Sequence, residues 1–326
     1  MQDNFELRDI VFIDPQTRKL LRLVGDDLVG DSIKISLNDG IYRFVESDNY
    51  SASFGYQWNR FEKTQIDREQ NTLSQSHERL QAETNWDFRK LSGNKILEVG
   101  CGAGRFSQVI LDNSEADLYS LDYSNAAEVN FRNNGENPKL NLFQASIYEM
   151  PFDNQQFDKV LCLGVLQHTP DFRKSVECLC NMVKPGGELV VDFYEKRSWL
   201  TYIHAKYILR PLTKKMSHKH LLKLIERNAK FLISIYKILY KLKLGIITRF
   251  LPICDIYNTL PKNLDKNTLR EWVILDTFDM FSPQYDQPQS IDRVTEMVSS
   301  AGLKVTFAGH VVFSNNMAAV VRAIRE

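Results

Sequence analysis

The chain has 326 residues, 43% hydrophobic and 25% charged, which is the balance of a folded globular protein rather than a disordered one. Its 41 Lys plus Arg are offset by 41 Asp plus Glu, so it lacks the overall basic field that argues for a nucleic-acid partner. The five cysteines, Cys101, Cys162, Cys178, Cys180 and Cys254, have neither metal-ligand spacing nor the pattern of a secreted disulfide framework. The opening MQDNFELRDI lacks a basic start and an apolar run, and no stretch approaches the roughly 18 apolar residues of a membrane span. The expectation is a cytoplasmic protein, at most peripheral at the inner membrane face.

Short alternating runs at 9–13, 19–24, 32–36 and 41–45, with Asp39-Gly40 as a turn, predict a small β-rich lobe over 1–50. Residues 51–92 follow as a linker, with an aromatic cluster of Phe54, Tyr56, Trp58 and Phe61 and a helix over 74–88. From Lys95 apolar runs alternate with amphipathic segments: strands at 95–100, 117–122, 140–146, 158–164 and 187–194, helices at 105–113, 125–134 and 170–183. Thr169 is placed as N-cap of the last helix, Pro170 as its first residue, and Gly186-Gly187 after its end. This alternation, a core at 93–195, reads as a parallel sheet flanked by helices. It stops at a basic helical insertion, 196–288, and resumes over 289–326 as a helix at 290–300 and strands at 303–309 and 318–324.

The segment Lys95-Ile-Leu-Glu-Val-Gly-Cys-Gly-Ala-Gly-Arg-Phe106 is an apolar strand, then glycines at Gly100, Gly102 and Gly104, then a helix. Such a turn lets backbone approach a ligand and aims free N–H groups at it. A dinucleotide fingerprint would need glycine where Arg105 stands, so pyrophosphate binding is disfavoured. Asp122 ends the next strand about 20 residues on, where α/β nucleotide sites place an acid on ribose hydroxyls. Gln144-Ala-Ser-Ile147 at the third strand end offers a side-chain oxygen and a backbone N–H to an adenine edge.

Together with Leu163-Gly-Val-Leu-Gln-His-Thr-Pro170 and Lys184-Pro-Gly-Gly187, these segments resemble the class I S-adenosylmethionine-dependent methyltransferases, whose glycine loop reads E/D-x-G-x-G-x-G. The resemblance covers 90–195 closely and 290–326 more loosely. It implies an α/β Rossmann-like sheet with a terminal antiparallel hairpin, and S-adenosylmethionine as cofactor. Gly100, Gly102 and Gly104 would lie along the methionine moiety with Glu98 beneath. Asp122 would hold the ribose, Ser146 and Ile147 the adenine, and Tyr123 and Leu163 complete the set. Many members carry Asp where Ser146 stands, which implies a weaker or water-mediated adenine contact here. The N-terminal lobe also resembles a zinc-ribbon-like segment found before some bacterial methyltransferases, but no cysteine precedes Cys101, so no thiolate zinc site and no metal is expected.

Methyl transfer needs in-line approach in a dry cleft, and a base only where the acceptor must lose a proton. His168, just past the fourth strand, is the candidate base; the competing reading makes it a polar residue at a helix start. Tyr56 and Trp58 are candidates for a lid over the sulfonium, and Tyr285, in the apparent loop 278–286, for the acceptor pocket. The acceptor is expected to be a small molecule, glycan precursor or lipid-linked compound, methylated on O or N. Two alternatives stand beside this: an RNA methyltransferase using the basic insertion, and a non-catalytic scaffold that binds S-adenosylmethionine.

Residues 197–250 hold 13 Lys plus Arg and one acid, Glu226. Lys223, Arg227, Lys230, Ser234, Lys237 and Lys241 recur at helical spacing, with Leu224, Phe231, Leu232, Ile235, Tyr236, Ile238, Leu239 and Leu242 on the other faces. Three readings of this basic amphipathic helix remain: a cap packed on the core, a homodimer interface, and contact with an anionic membrane.

Overall fold

The computed structural model describes residues 10–46, 49–69, 74–314 and 316–326; Asp9, the start of the expected first strand, lies outside them. The N-terminal lobe is a meander of β1 (Phe12–Ile13), β2 (Leu20–Val24), β3 (Asp27–Val29), β4 (Lys34–Asn38) and β5 (Ile41–Arg43). β3 is an addition to the expected strands, made possible by a tight turn at Gly25 (φ 62°) that sets Val24 opposite Asp27. β5 then pairs in parallel with a strand of the main sheet, Ile41 opposite Leu142, so the lobe extends the core rather than standing beside it.

The linker forms α1 (Ala52–Arg60) and α2 (Gln75–Thr84), the second stopped short of the expected residue 88 by Asn85 in the left-handed region (φ 58°). The core follows as β6 (Lys95–Val99), α3 (Arg105–Asn113), β7 (Asp117–Asp122), α4 (Ala126–Asn134), β8 (Leu140–Gln144), β9 (Phe157–Cys162), α5 (Phe172–Met182) and β10 (Val183–Phe193). The insertion supplies α6 (Ala205–Thr213), α7 (His218–Lys241), α8 (Gly245–Thr248), α9 (Ile256–Thr259) and α10 (Lys266–Phe281). The chain closes with α11 (Ile291–Ser300), β11 (Lys304–Phe313) and β12 (Asn316–Ile324).

The core strands run in the order β8-β7-β6-β9-β10-β12-β11. β8 through β10 are parallel, and β12 lies antiparallel between β10 and β11 as the expected terminal hairpin. Buried Ile96, Leu97, Val160, Leu161, Val190 and Val191 make the central strands apolar on both faces, as a sheet covered by helices requires.

Among the boundaries that differ from expectation are three in the core. The third strand ends at Gln144 because Ser146 turns to bridge Glu149. Asp171, not Thr169, caps α5, accepting from Lys174 N at 3.0 Å, while the Thr169 hydroxyl bonds back to Leu166 O across a short 3-10 turn. Gly186-Gly187 is no loop: β10 begins at Val183 and absorbs the glycines as a register shift before Glu188.

The insertion packs on the core through α10, whose Val273, Leu275 and Phe278 are buried, and α7 lays Leu221, Leu222, Ile225 and Ala229 against it. A buried ion cluster ties α6 to the insertion's own exit segment: Arg210 Nη1 meets Asp286 Oδ2 at 2.8 Å, and Lys206, which pairs with the same carboxylate, lies 4.2 Å over the Tyr194 ring of the core. Among the described residues no helix is long and apolar enough to cross a membrane.

Candidate functional site

The strand order reverses between β6 and β9, so a crevice opens at their carboxyl ends, where α/β sheets bind ligands. The glycine turn lies there. Gly100 has φ 85°, and a Cβ on it would stand 2.2 Å from the Val165 side chain, so only glycine lets the β9–α5 connection close over the turn. Gly104 (φ 83°) starts α3, and a Cβ there would stand 2.1 Å from Asn130 Oδ1, so it serves the packing of α3 on α4.

Asp122 is fixed by donors on both oxygens: Gly102 N at 2.9 Å, Ser124 N at 2.8 Å and Ser124 Oγ at 2.7 Å. Burial raises its carboxyl above the ordinary range, and these donors pull the other way. Ser124 supplies two donors to Oδ1, while Oδ2 takes only Gly102 N and keeps lone-pair capacity for a further donor. The Glu98 carboxylate instead turns under the turn to Ser107 and Ser120, and burial pushes it up to about 7.

A cavity of about 850 Å³ runs from the glycine turn to the insertion. Of the expected site residues, Gly100, Gly102, Asp122, Tyr123, Ile147, Leu163, His168 and Trp58 line it. Glu98, Gly104, Ser146, Tyr56 and Tyr285 are not among the lining residues. Ser146 Oγ caps Tyr148 N at 3.2 Å, and Tyr56 is turned into the insertion's core against Phe278 and His218. Trp58 does lie on the turn, its indole nitrogen 2.9 Å from where a Gly102 Cβ would be.

The expected loop 278–286 begins as the last turn of α10. Tyr285 contributes backbone: its carbonyl is 3.1 Å from His168 Nδ1, and its ring meets Tyr50 edge-on. His168 is buried between Phe54 (5.0 Å) and the edge of Tyr194 (5.5 Å), and burial lowers its pKa below the ordinary 6.5.

Sequence reasoning missed most of the cavity's polar lining. Arg105, read only as a break in a dinucleotide pattern, faces the cavity with neutral partners, Gln65 Oε1 at 2.7 Å and Ser76 Oγ at 3.2 Å. Burial and nearby Arg79 bring it down to about 10, still charged at neutral pH. Gln75, Gln57 and Gln167 are buried lining residues with side-chain atoms that have no partner among the described residues, both polar atoms in the case of Gln167. On the insertion side α10 presents Trp272, Asp276, Asp279 and Met280, one helical face by spacing. Tyr194 donates to Asp279 Oδ2 at 3.1 Å, and burial with repulsion from Asp279 pushes Asp276 up to about 7. The Asp276-x-x-Asp279 spacing was the available signal.

A fixed acid, a glycine turn at the switch point and unsatisfied polar atoms around one cavity define a nucleotide-type site in a Rossmann-like α/β core. Residues 97–191 match the sequence family described as methyltransferase domain. With the β12 hairpin in place, this methyltransferase domain has the sheet that the resemblance to the class I S-adenosylmethionine-dependent enzymes implies. The ubiquinone biosynthesis O-methyltransferase of Pseudomonas entomophila is 34% identical over 139 residues, 39% of this chain and 58% of that protein. The enzyme of the same name from Coxiella burnetii is 30% identical over 129 residues, 38% and 55% of the two chains. The chain thus spans little more than half the length of these curated relatives. Solved structures that overlay loosely include human N-acetylserotonin methyltransferase (TM-score 0.46, 12% identity, 86% of this chain and 60% of that one). Magnesium protoporphyrin IX methyltransferase from Synechocystis PCC 6803 overlays with TM-score 0.46 and 13% identity, over 89% of this chain and all of that one.

Proposed function

We propose that the chain moves a methyl group from S-adenosylmethionine to a hydroxyl of a small-molecule acceptor held between the core sheet and the insertion. Continuity of the cavity carries this reading: one space joins the glycine turn and Asp122 to His168, Tyr194 and the α10 carboxylates. The O-methyltransferase names of the relatives support oxygen as the methylated atom.

The residues present suit the cofactor's chemistry. Asp122 would accept from the ribose hydroxyls, Tyr123 and Ile147 would border the adenine, and Gly100 and Gly102 would let backbone lie against the methionine, with Leu163 beside it. Arg105, lacking a carboxylate partner at hydrogen-bond distance, would take the methionine carboxylate, and the orphaned amides of Gln75 and Gln167 offer further polar contacts. When bound, S-adenosylmethionine supplies a methyl group on a sulfonium centre, activated toward an in-line nucleophile. The chain's part is to align the acceptor and keep water out. With Nδ1–H donating to Tyr285 O, His168 presents the lone pair of Nε2 and stays neutral at neutral pH, ready to receive the hydroxyl proton as the oxygen attacks.

Calorimetry with S-adenosylmethionine is the test: one-to-one binding is expected, and no binding by the folded chain would reject the reading. Comparing metabolites of wild-type and deletion strains then identifies the acceptor. Steeply salt-dependent binding to transfer RNA, with methylated RNA as product, would favour the RNA reading instead.

A further inference from the structure

The apolar residues of α7 fall on two separate faces. Leu221, Leu222, Ile225, Ala229 and Tyr236 are buried inside the insertion. Leu224, Phe231, Ile238 and Leu242 follow each other at spacings that stack them on a second line at about 3.6 residues per turn, and all four are exposed. Next to that line run Arg227, Lys230, Lys237 and Lys241, exposed as well. Beyond the helix end the apolar surface continues into α8 with Ile246, 76% exposed, and then Phe250, 51% exposed. The turn bearing Trp199, 70% exposed, is tied to that end: Arg249 Nη2 donates to Leu200 O at 2.9 Å and Ala205 N to Arg249 O at 2.9 Å.

We propose that this outer face of the insertion, the second line of α7 together with α8 and the 199–203 turn, docks on an anionic phospholipid bilayer. Protruding aromatic and aliphatic tips interleaved with lysines suit an interface that is apolar inside and negatively charged at its surface. Glu226, the one acid among residues 197–250, is already paired with Arg60, so the face meets its partner with its cations unopposed. A two-fold homodimer through the same face would set one basic stripe against another, which disfavours that occupant. Docking also has a consequence for the cavity. Arg197, Thr201 and His204, which flank the Trp199 turn, line it, so its mouth would be held at the headgroup layer. Resting on the methyltransferase reading, the acceptor is then a membrane-partitioned or lipid-linked molecule that enters without crossing bulk water.

The test is flotation of the full chain with phosphatidylcholine vesicles carrying increasing phosphatidylglycerol, at low and moderate salt. Association should rise with phosphatidylglycerol and weaken with salt. The triple reversal Lys230→Glu, Lys237→Glu, Lys241→Glu should lower it at least about tenfold. The independent set Trp199→Ser, Ile246→Ser, Phe250→Ser should lower it as well, with circular dichroism unchanged in both. No association at low salt, equal association with pure phosphatidylcholine, or association indifferent to both variant sets would overturn the proposal. So would a lipid-free dimer in sedimentation that the apolar set dissolves. Vesicle association without S-adenosylmethionine binding would leave docking standing and remove only the methyltransferase reading.

Discussion

The two halves of the cavity are built differently. The half proposed for the cofactor comes from strand ends and the turns that follow them: Gly100 and Gly102 after β6, Asp122 closing β7, Ile147 after β8, Leu163 after β9. The backbone of a parallel sheet places these, and neighbouring donors fix the Asp122 carboxylate. The half proposed for the acceptor is assembled from residues distant in sequence, Phe54 on α1, Tyr194 after β10 and Asp276 and Asp279 on α10, which meet because the insertion folds back. The first half is a property of a local motif, the second of tertiary docking. Loss of docking should therefore damage one half and spare the other.

The largest expected effect tests the insertion's own closure, on which its docking depends. Asp286→Ala leaves Lys206 and Arg210 buried without their carboxylate, which costs about 3–5 kcal/mol. In a thermal melt the insertion should loosen before the core, with S-adenosylmethionine affinity kept; a single cooperative loss of both would break the comparison. Next, Gly100→Val places a branched side chain at φ 85° against Val165 and should weaken cofactor binding more than about a hundredfold, roughly 2.7 kcal/mol. Asp122→Ala should weaken it about tenfold or more by calorimetry, about 1.4 kcal/mol, with the fold intact.

Arg105→Gln sharpens the cofactor half further. It should weaken S-adenosylhomocysteine several-fold but leave 5′-methylthioadenosine, which lacks the amino-acid end, unchanged; equal loss for both would remove Arg105 from that role. His168→Ala tests the boundary between the halves. Cofactor affinity should hold while kcat falls, and the acid limb of the wild-type rate profile, which belongs below pH 6.5 because burial lowers this imidazole, should vanish. Rates within about threefold of wild type would leave proximity as the whole of the catalysis.

The smallest effect concerns Glu98. Its carboxyl sits at about 7 in the fold against 4.5 as the unperturbed value, so the folded state binds more protons between the two. The associated stability is complete below pH 4.5 and is lost as pH rises toward 7. Glu98→Gln should flatten that slope in melts across pH about 5 to 8 without moving cofactor affinity; an unchanged slope would show that Glu98 is not its source.

Legibility in the sequence follows the same division. The core strands lie within a few residues of their expected places because a two-sided buried strand leaves an unbroken apolar run, as in Val160-Leu161-Cys162. The glycine turn and Asp122 were readable because their spacing is the chemistry. Tyr56 was misdirected for the opposite reason: an aromatic residue on α1 suits a lid or a core equally, and the choice was made by Phe278, more than two hundred residues away. α10 runs into the segment 278–286 that was expected as a loop, because Trp272-Val-Ile-Leu275 is apolar all round, a pattern that gives no face and no clear stop. For α7, periodicity revealed an amphipathic helix but could not show which apolar residues were buried.

The pairing of β5 with β8 also bears on how the chain reaches its fold. Arg43 reaches Gln144, 101 positions further along the chain, through a hydrogen bond of 2.7 Å that cannot form until the whole first half of the core exists. During synthesis the lobe leaves the ribosome before the core, and it must wait with β5 as an open strand edge while β6, β7 and β8 are made. Closing so long a loop is slow, and an edge kept waiting is where chains pair with the wrong neighbour. Yield in expression should therefore depend on the pace of translation between residues 44 and 140.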